Sequence, residues 1–243
     1  MAIDVGERSK AAAGGPRHRR PTPERNKLLG LFVEAGAVVV LGLLVAILVR
    51  LFVAEAFYVP SGSMESTLLK NDRLIAEKVS YLHRDIERGD IVVFRDPGHW
   101  LPPDSTKEGA LRRFGEFIGV LPRSGQGHLV KRVIGVGGDR VVCCDRTGKI
   151  TINGHPIDER SYLNKGVNPS DEPFNVRVPD GMLWVMGDNR PQSADSRAHL
   201  GSPGGGFVPV DNVVGRACCV IWPSDRMAKL RRPPIFENSG LNK

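Results

Sequence analysis

LLGLFVEAGAVVVLGLLVAILV, residues 28 to 49, divides this chain into two parts of different character. Glu34 is the only charged residue in this apolar run. An α-helix rises about 1.5 Å per residue, so a helix of this length crosses a hydrocarbon core of about 30 Å. The run therefore predicts a transmembrane helix over residues 28–50.

The residues before this helix form a basic segment. Residues 1–27 contain seven Lys or Arg and three acidic residues, so more than half of the chain's net charge of +7 lies there. Their composition and lack of apolar periodicity predict a disordered cytoplasmic tail. Because Lys and Arg accumulate on the cytoplasmic side of a span, we expect everything after Arg50 to lie outside the cytoplasm. With the charge concentrated in the tail, we expect no nucleic-acid partner.

A cleaved signal peptide is the alternative interpretation of the N-terminus. Such peptides also begin with basic residues, and Ala54-Glu55-Ala56 matches a small-x-small cleavage site. However, their apolar segment usually has about 7 to 15 residues, and this run is longer. A buried core helix is less favoured, because the run offers no polar face. We therefore expect a retained, single-pass anchor.

After the anchor, the sequence changes to short runs of β-branched and aromatic residues separated by turns. Examples of these runs are Ile91–Phe94, Leu129–Ile134 and Met182–Met186. This texture is typical of strands, and no convincing helical pattern follows the anchor. We predict a mainly β protein, with one antiparallel β domain over residues 51–225 and a basic, Pro-containing tail over residues 226–243.

A hydroxyl-rich turn, VPSGSMESTLL, occupies Val59 to Leu69. Pro60 restricts the approach to the turn and Gly62 permits a tight bend, so one side chain can be held outward. Ser63 is the candidate nucleophile. A serine in such a turn is more often solvated or a helix cap, so the surrounding sequence decides between these roles.

Lys131 is the candidate base. It lies in a strand pattern among apolar residues, and it points to the face opposite its immediate neighbours. If that face is the core, burial disfavours the charged ammonium and lowers its pKa, as a base near neutral pH requires. The alternative is a solvated lysine whose stem lies along apolar surface, with Arg132 at the outward position.

A dense polar segment, MGDNRPQSADSR, runs from Met186 to Arg197. It has two interpretations. It is either a solvated turn with local Asp/Arg pairs, or it supports the base, with a hydroxyl such as that of Ser193 orienting Lys131.

Four segments together resemble the sequence boxes of the bacterial type I signal peptidases. In chain order they are PSGSMESTL, GDIVVF, KRVIGVGGD and MGDNRPQSADSR, and they follow an N-terminal apolar segment. The resemblance covers residues 45–222. It implies a membrane-anchored serine endopeptidase with a Ser/Lys dyad. Such an enzyme cleaves exported preproteins after small residues, at Ala-x-Ala-like sites, through an acyl-enzyme intermediate.

The resemblance also implies roles for individual residues. Ser63 matches the nucleophile, Lys131 the general base, and Ser61 a hydroxyl that completes the oxyanion hole with the Ser63 backbone N–H. The matching supporting residues are Ser193, Asp188, Asp195 and Arg197. The residues at positions that line pockets for small side chains are Phe57, Val59, Met64, Leu68, Leu129 and Val130. The family usually has proline where this chain has Ser66, so the turn loses one rigid φ angle.

The implied chemistry needs no metal and no organic cofactor. The implied partners are secretory preproteins with signal peptides, membrane lipid and, functionally, the protein export machinery. The implied location is the cytoplasmic membrane, with the catalytic domain on its outer face.

Three other functions remain open. A non-catalytic binding or assembly module would share this organisation, but it would need neither the Lys131 amine nor the Ser63 hydroxyl. Sortase-like transpeptidation requires a cysteine nucleophile with histidine and arginine, which the paired cysteines do not fit. A Ser-His-Asp triad is disfavoured because no histidine accompanies a G-x-S-x-G motif.

The four cysteines form two adjacent pairs, Cys143-Cys144 and Cys218-Cys219. Strand neighbours point to opposite faces and no C-x-x-C spacing is present, so we expect no metal site. An exported location permits disulfides, so one bridge between a member of each pair is our hypothesis. Buried free thiols are the alternative.

Overall fold

A computed structural model describes residues 23–79, 85–98, 100–101, 127–237 and 241. Most of the expected N-terminal tail and most of the segment between Gly98 and Gly127 lie outside these residues. The described chain falls into two compact units, divided between Gly42 and Leu43.

The apolar run forms a single helix, α1, over Pro23–Phe52. Proline is favourable in a first helical turn, because its missing N–H has no partner there in any case. Within α1, Leu29–Val49 has a mean hydropathy of 2.7, and none of its hydrophobic window is buried by protein. By length and composition, this helix can cross a membrane.

The described residues after α1 contain twelve strands. In chain order they are β1 (Ala54–Tyr58), β2 (Arg73–Glu77), β3 (Ile91–Arg95), β4 (His128–Val136), β5 (Arg140–Cys143), β6 (Thr151–Ile152), β7 (His155–Pro156), β8 (Phe174–Arg177), β9 (Met182–Met186), β10 (Val208–Pro209), β11 (Val213–Trp222) and β12 (Ala228–Lys229). Short 3₁₀ turns, including Glu159–Ser161 and Arg190–Gln192, connect some of them.

The strands form two antiparallel sheets. The larger sheet has the order β1-β2-β11-β3-β4-β9-β10, with β12 paired to β11. The smaller sheet has the order β7-β6-β5-β8. All of the described strand pairs are antiparallel, which confirms the predicted fold class.

Two features of the core position the functional site. An apolar cluster that includes Phe57, Met64, Leu68 and Leu74 lies beneath the predicted nucleophile turn. Strand β4 is buried on both of its faces from Lys131 to Gly135. Side chains on both faces of this part of β4 are therefore shielded from water.

The C-terminal segment is not the separate tail that we expected for residues 226–243. Strand β12 pairs with β11, and the side chains of Phe236 and Leu241 are buried in the core of the smaller sheet. The described domain thus extends beyond residue 225, because these apolar side chains have a core to pack into.

The expected disulfide between the two cysteine pairs is not formed. Cys143 is instead bonded to Cys144, while Cys218 and Cys219 are thiols whose sulfur atoms lie 3.5 Å apart. Cys143 ends β5 in the smaller sheet, whereas Cys218 and Cys219 lie on β11 in the larger sheet. A bulge in the pairing of β11 with β2 also interrupts the expected alternation at Cys218. Burial and a hydrogen bond with Cys219 raise the pKa of Cys218 to about 12.

Candidate active site

The turn after β1 presents Ser63. Hydrogen bonds from the Glu65 N–H to the Gly62 carbonyl and from the Leu68 N–H to the Met64 carbonyl, at 3.0 and 2.8 Å, close its backbone. Met64 and Leu68 are fully buried and fasten the turn to the core. Ser63 itself is 9% exposed, so its hydroxyl lies at the edge of the protein interior.

Lys131 reaches Ser63 from the middle of β4. It pairs with Val92 of β3, and its side chain is 3% exposed. Its Nζ donates a hydrogen bond of 2.7 Å to Ser63 Oγ. The structure therefore brings together the two residues singled out for nucleophile and base, although 68 positions separate them.

Burial changes the proton affinity of this amine. It lowers the pKa of Lys131 to about 8, while the negative charges of Asp195 and Asp188 oppose the shift. A substantial fraction of the amine is therefore neutral at mildly alkaline pH, and only the neutral form can accept a proton from Ser63.

Arg132, the neighbour of Lys131, is also buried rather than solvated. It points to the other face of β4, where Asp188 accepts hydrogen bonds from its Nε and Nη2 at 2.8 and 2.7 Å. The hydroxyl of Thr67, from the nucleophile turn, donates to the same carboxylate. Asp188 therefore ties β4 to the turn that carries the nucleophile.

The backbone of the segment 186–197 contacts the nucleophile turn directly. The Asn189 N–H donates to the Ser63 carbonyl at 3.1 Å, and Asn189 Nδ2 donates to the Gly62 carbonyl at 2.9 Å. At Gly187, a Cβ atom would lie 2.4 Å from the Ser63 carbonyl oxygen, so only glycine fits. The segment thus holds the backbone at and before the nucleophile.

Asp195 and Arg197 stabilise this segment from within. Asp195 is fully buried, and its carboxylate accepts from the Gly187 N–H at 2.9 Å and from Arg197 Nε and Nη2, both at 2.9 Å. Arg197 Nη2 also donates to the Arg190 carbonyl at 2.8 Å. These contacts fit the supporting roles that the resemblance implied, and they differ from the solvated pairs of the alternative interpretation.

Of the two other predicted site serines, Ser61 lies beside Ser63, whereas Ser193 does not contact Lys131 as expected. Ser61 Oγ lies 3.4 Å from Ser63 Oγ, close enough to serve the same reacting centre. Ser193 Oγ is buried and makes no hydrogen bond to any described residue, so the expected contact with Lys131 is not formed. Its hydroxyl instead occupies the space beside Gly187, 2.2 Å from where a Cβ would stand.

A cavity of about 100 Å³ adjoins the dyad. Five of the six predicted pocket residues line it: Phe57, Val59, Met64, Leu129 and Val130. The sixth, Leu68, is fully buried in the core beneath the turn instead. Lining residues that the sequence did not single out are Tyr58, Pro60, Val93, Leu101 and His128. The cavity is small, and most of its lining residues are apolar.

The backbone at Ser66 explains the departure from the family's first box. Its φ angle is +86°, which proline cannot adopt, and its hydroxyl donates to the Tyr162 carbonyl. A side-chain hydrogen bond therefore fastens the turn at this position.

Among the described residues, no histidine is hydrogen-bonded to the Ser63 hydroxyl. Its hydroxyl contacts Lys131 and Ser61 among the described residues, whereas His199 contacts the Asp195 carbonyl and stacks on Trp100. Within the described ranges, no group of three or more His, Cys, Asp or Glu side chains is arranged to hold a metal ion. The arrangement present is a serine beside a desolvated lysine.

Sequence reasoning missed several charged residues behind the dyad. Arg132, Arg190 and Glu159 are buried and paired with opposite charges. Arg132 and Arg190 lie inside the quoted boxes, and this position could have marked them as residues close to the site. Glu159 lies outside every box, and nothing in the local sequence distinguishes it from a solvated acid.

Comparison with known proteins identifies the family. The model of the family described as signal peptidase, peptidase S26, matches residues 32–222. A probable signal peptidase I of Mycobacterium leprae is 35% identical over 93% of this chain and 86% of its own length. A probable signal peptidase I-2 of Synechocystis is 39% identical over 87% of this chain and 81% of its own.

Among solved structures, a signal peptidase I of Enterococcus faecalis V583 matches 55% of this chain and 97% of its own, at 25% identity and a TM-score of 0.34. The family match and the two relatives each extend over most of the sequence. The chain belongs to the signal peptidase family, peptidase S26, and it is a serine endopeptidase of the kind that removes signal peptides.

Proposed function

We propose that this protein is a membrane-anchored signal peptidase in which Ser63 and Lys131 form the catalytic dyad. In this role it cleaves exported preproteins after small residues, at Ala-x-Ala-like sites. The observation that carries the proposal is the 2.7 Å hydrogen bond between Lys131 Nζ and Ser63 Oγ. Lys131 is buried, so water does not compete for this hydrogen bond.

Acylation begins with proton transfer. A serine hydroxyl is a weak nucleophile, and the neutral Lys131 amine accepts its proton as Oγ attacks the scissile carbonyl carbon. The Ser61 hydroxyl and the Ser63 backbone N–H donate to the resulting oxyanion. One such donor contributes about 2.7 to 4 kcal/mol to transition-state stabilisation in comparable hydrolases.

The tetrahedral intermediate then collapses and its C–N bond breaks. The protonated Lys131 gives its proton to the leaving amine, which becomes the new N-terminus of the mature protein. An ester between Ser63 and the signal peptide remains. Water attacks this ester with Lys131 again as the base, which frees the Ser63 hydroxyl and a signal-peptide carboxylate.

The small cavity beside the dyad supports the specificity of this proposal. Its apolar wall suits a methyl side chain, and its volume of about 100 Å³ disfavours bulky ones. A side chain too large for a rigid pocket forces neighbouring groups out of place, which costs about 1–3 kcal/mol or more. We therefore expect alanine to be preferred over leucine at the substrate position that enters this cavity.

The anchor supports the same function. A single-pass helix α1, with its basic tail in the cytoplasm, holds the catalytic domain at the outer face of the cytoplasmic membrane. There it meets preproteins whose own apolar segments lie in the bilayer, near membrane lipid and the export machinery. Confinement to one surface raises the effective concentration of enzyme and substrate for each other.

The test is cleavage of a preprotein with an Ala-x-Ala site in detergent or lipid. The parent is compared with Ser63→Ala and Lys131→Ala at pH values from about 6 to about 10, which lie on both sides of the pKa of Lys131. We expect both variants to fold and to be inactive, and parent activity to rise with pH through about 8, as Lys131 loses its proton. His155→Ala, at an exposed position on β7, serves as the matched control.

The contrary result is equally clear. If Ser63→Ala or Lys131→Ala turns over near the parent rate, the dyad is wrong. If the parent itself cleaves nothing while folded, a binding or assembly module becomes the better interpretation.

A further inference from the structure

A buried ion pair joins the smaller sheet's connection to the segment that holds the nucleophile. Glu159 lies in the 3₁₀ turn after β7, and Arg190 begins the 3₁₀ turn after β9. Each is 3% exposed. Arg190 Nη2 and Nη1 donate to the two carboxylate oxygens of Glu159 at 2.6 and 3.0 Å. The pair is therefore bidentate and shielded from water.

Arg190 also holds the backbone next to the dyad. Its Nε donates to the Gly187 carbonyl at 3.0 Å, and its Nη1 donates to the Pro169 carbonyl at 2.9 Å. Gly187 packs so closely on Ser63 that a Cβ would meet the Ser63 carbonyl oxygen. Gly187 therefore lies between the Arg190 guanidinium and the nucleophile turn.

Tyr162 connects this pair to the second buried arginine. Its hydroxyl donates to Glu159, and its ring lies under the Arg132 guanidinium at 4.4 Å. Burial raises the pKa of Tyr162 well above its usual value, so the phenol keeps its proton and remains a donor. Arg132 in turn pairs with Asp188, whose charge acts on Lys131.

We propose that Glu159 is a positioning residue for the Ser63/Lys131 dyad. It fixes the Arg190 guanidinium, which holds the Gly187 carbonyl and, through it, the backbone of the nucleophile turn. Glu159 also balances the charge of a buried arginine on the same network as the base. The inference rests on the proposed function, since it concerns the geometry and the proton affinity of that dyad.

Glu159→Gln is the direct test, because it keeps the side-chain shape and removes the charge. We expect kcat to fall roughly tenfold to a hundredfold, the usual effect of a small misplacement of reacting groups. We expect KM to change less than about twofold, because Glu159 does not line the cavity beside the dyad.

The pH profile gives a readout that loss of stability would not produce. The charged groups that act on Lys131 are Asp195 and Asp188, while Arg132, Arg190 and Tyr162 face Glu159 or its partners. Without Glu159, the Arg190 cation is no longer balanced, which disfavours a second cation nearby. We therefore expect the acid limb of kcat to move to lower pH in Glu159→Gln.

Arg190→Lys covers the case in which Glu159→Gln fails to fold. It keeps the charge opposite Glu159, but a single ammonium cannot bind the carboxylate in a bidentate fashion and also hold the Gly187 and Pro169 carbonyls. We expect it to fold and to lose kcat with little change in KM. Asp139→Asn is the matched control: it breaks a similarly bidentate pair, with Arg88 at 2.6 Å, that does not touch the dyad.

The outcomes separate this inference from the proposed function. Lower kcat in each of the two variants Glu159→Gln and Arg190→Lys that folds, beside unchanged kcat in Asp139→Asn, supports the positioning role. Parent-like kcat and acid limb in folded Arg190→Lys or Glu159→Gln would overturn it while leaving the dyad intact. An equal loss in Asp139→Asn would also overturn it, because the effect would then be general. A parent that cleaves no preprotein would instead sink the proposed function.

Discussion

Burial of Lys131, the proposed base, has a cost to stability. Its pKa is about 8 in the folded protein against 10.5 for an ordinary lysine. Between these values the unfolded chain binds more protons than the folded chain, so the free energy of unfolding rises with pH in that window. Below pH 8 the full penalty is present, and it amounts to roughly 3 kcal/mol.

Lys131→Met tests this cost. Methionine fills a similar volume without an amine to desolvate, so we expect the free energy of unfolding at pH 7 to rise by about 1–3 kcal/mol, although the hydrogen bond to Ser63 is lost. The gain should shrink as pH rises from about 8 through 10.5, because the parent amine is neutral in both states only above that range. Thermal or denaturant unfolding at several pH values measures it. A variant less stable than the parent at every pH would contradict the buried-amine argument.

At the scale of elements, strand β1 decides whether this enzyme cuts itself. The small-x-small site Ala54-Glu55-Ala56 lies within β1, and every residue of that strand pairs with β2. Glu55 is 4% exposed and forms an ion pair with Lys78 at 3.1 Å. A peptide bond must leave its sheet and extend into an active site before a peptidase can reach it. Pairing therefore protects this site.

We predict that the folded protein does not cleave itself after Ala56. Active protein is incubated in detergent for about a day, which is long enough for many turnovers of a typical peptidase. Its intact mass, measured by mass spectrometry, should not change. Ser63→Ala, treated alike, separates self-cleavage from contaminating proteases. A fragment that begins at Phe57 in the parent, and is absent from Ser63→Ala, would show that β1 opens.

At the scale of the whole molecule, charge and hydropathy predict one orientation for a chain that α1 anchors in a membrane. The tail before α1 is basic and the candidate span is almost free of charge. Positive segments stay on the cytoplasmic side, so the β domain is expected on the other side, where preproteins emerge.

Protease protection in spheroplasts measures this orientation. We expect added protease to digest the β domain while an epitope tag placed before Met1 stays protected on a short membrane fragment. Lysed spheroplasts, in which the tag should be digested, provide the control. Loss of the tag in intact spheroplasts would place the N-terminus outside and would exclude the proposed topology.

The sequence by itself determined the elements and the chemistry whose signals are local. An apolar run long enough for a span, alternating strand patterns, and four ordered boxes that contain Ser63 and Lys131 can all be read without a structure. Five of the six predicted pocket residues line the cavity, whereas Leu68 supports the turn from below.

Only the tertiary structure decided which distant residues meet. The Glu159–Arg190 pair, the hold of Asn189 on Ser63 and the burial of Phe236 depend on how two sheets and their connections pack. The cysteine pairing was wrong because it depended on which sheet each strand joins. Local patterns specify periodicity and burial along one element, whereas contacts between elements are selected by packing and charge balance over the whole fold.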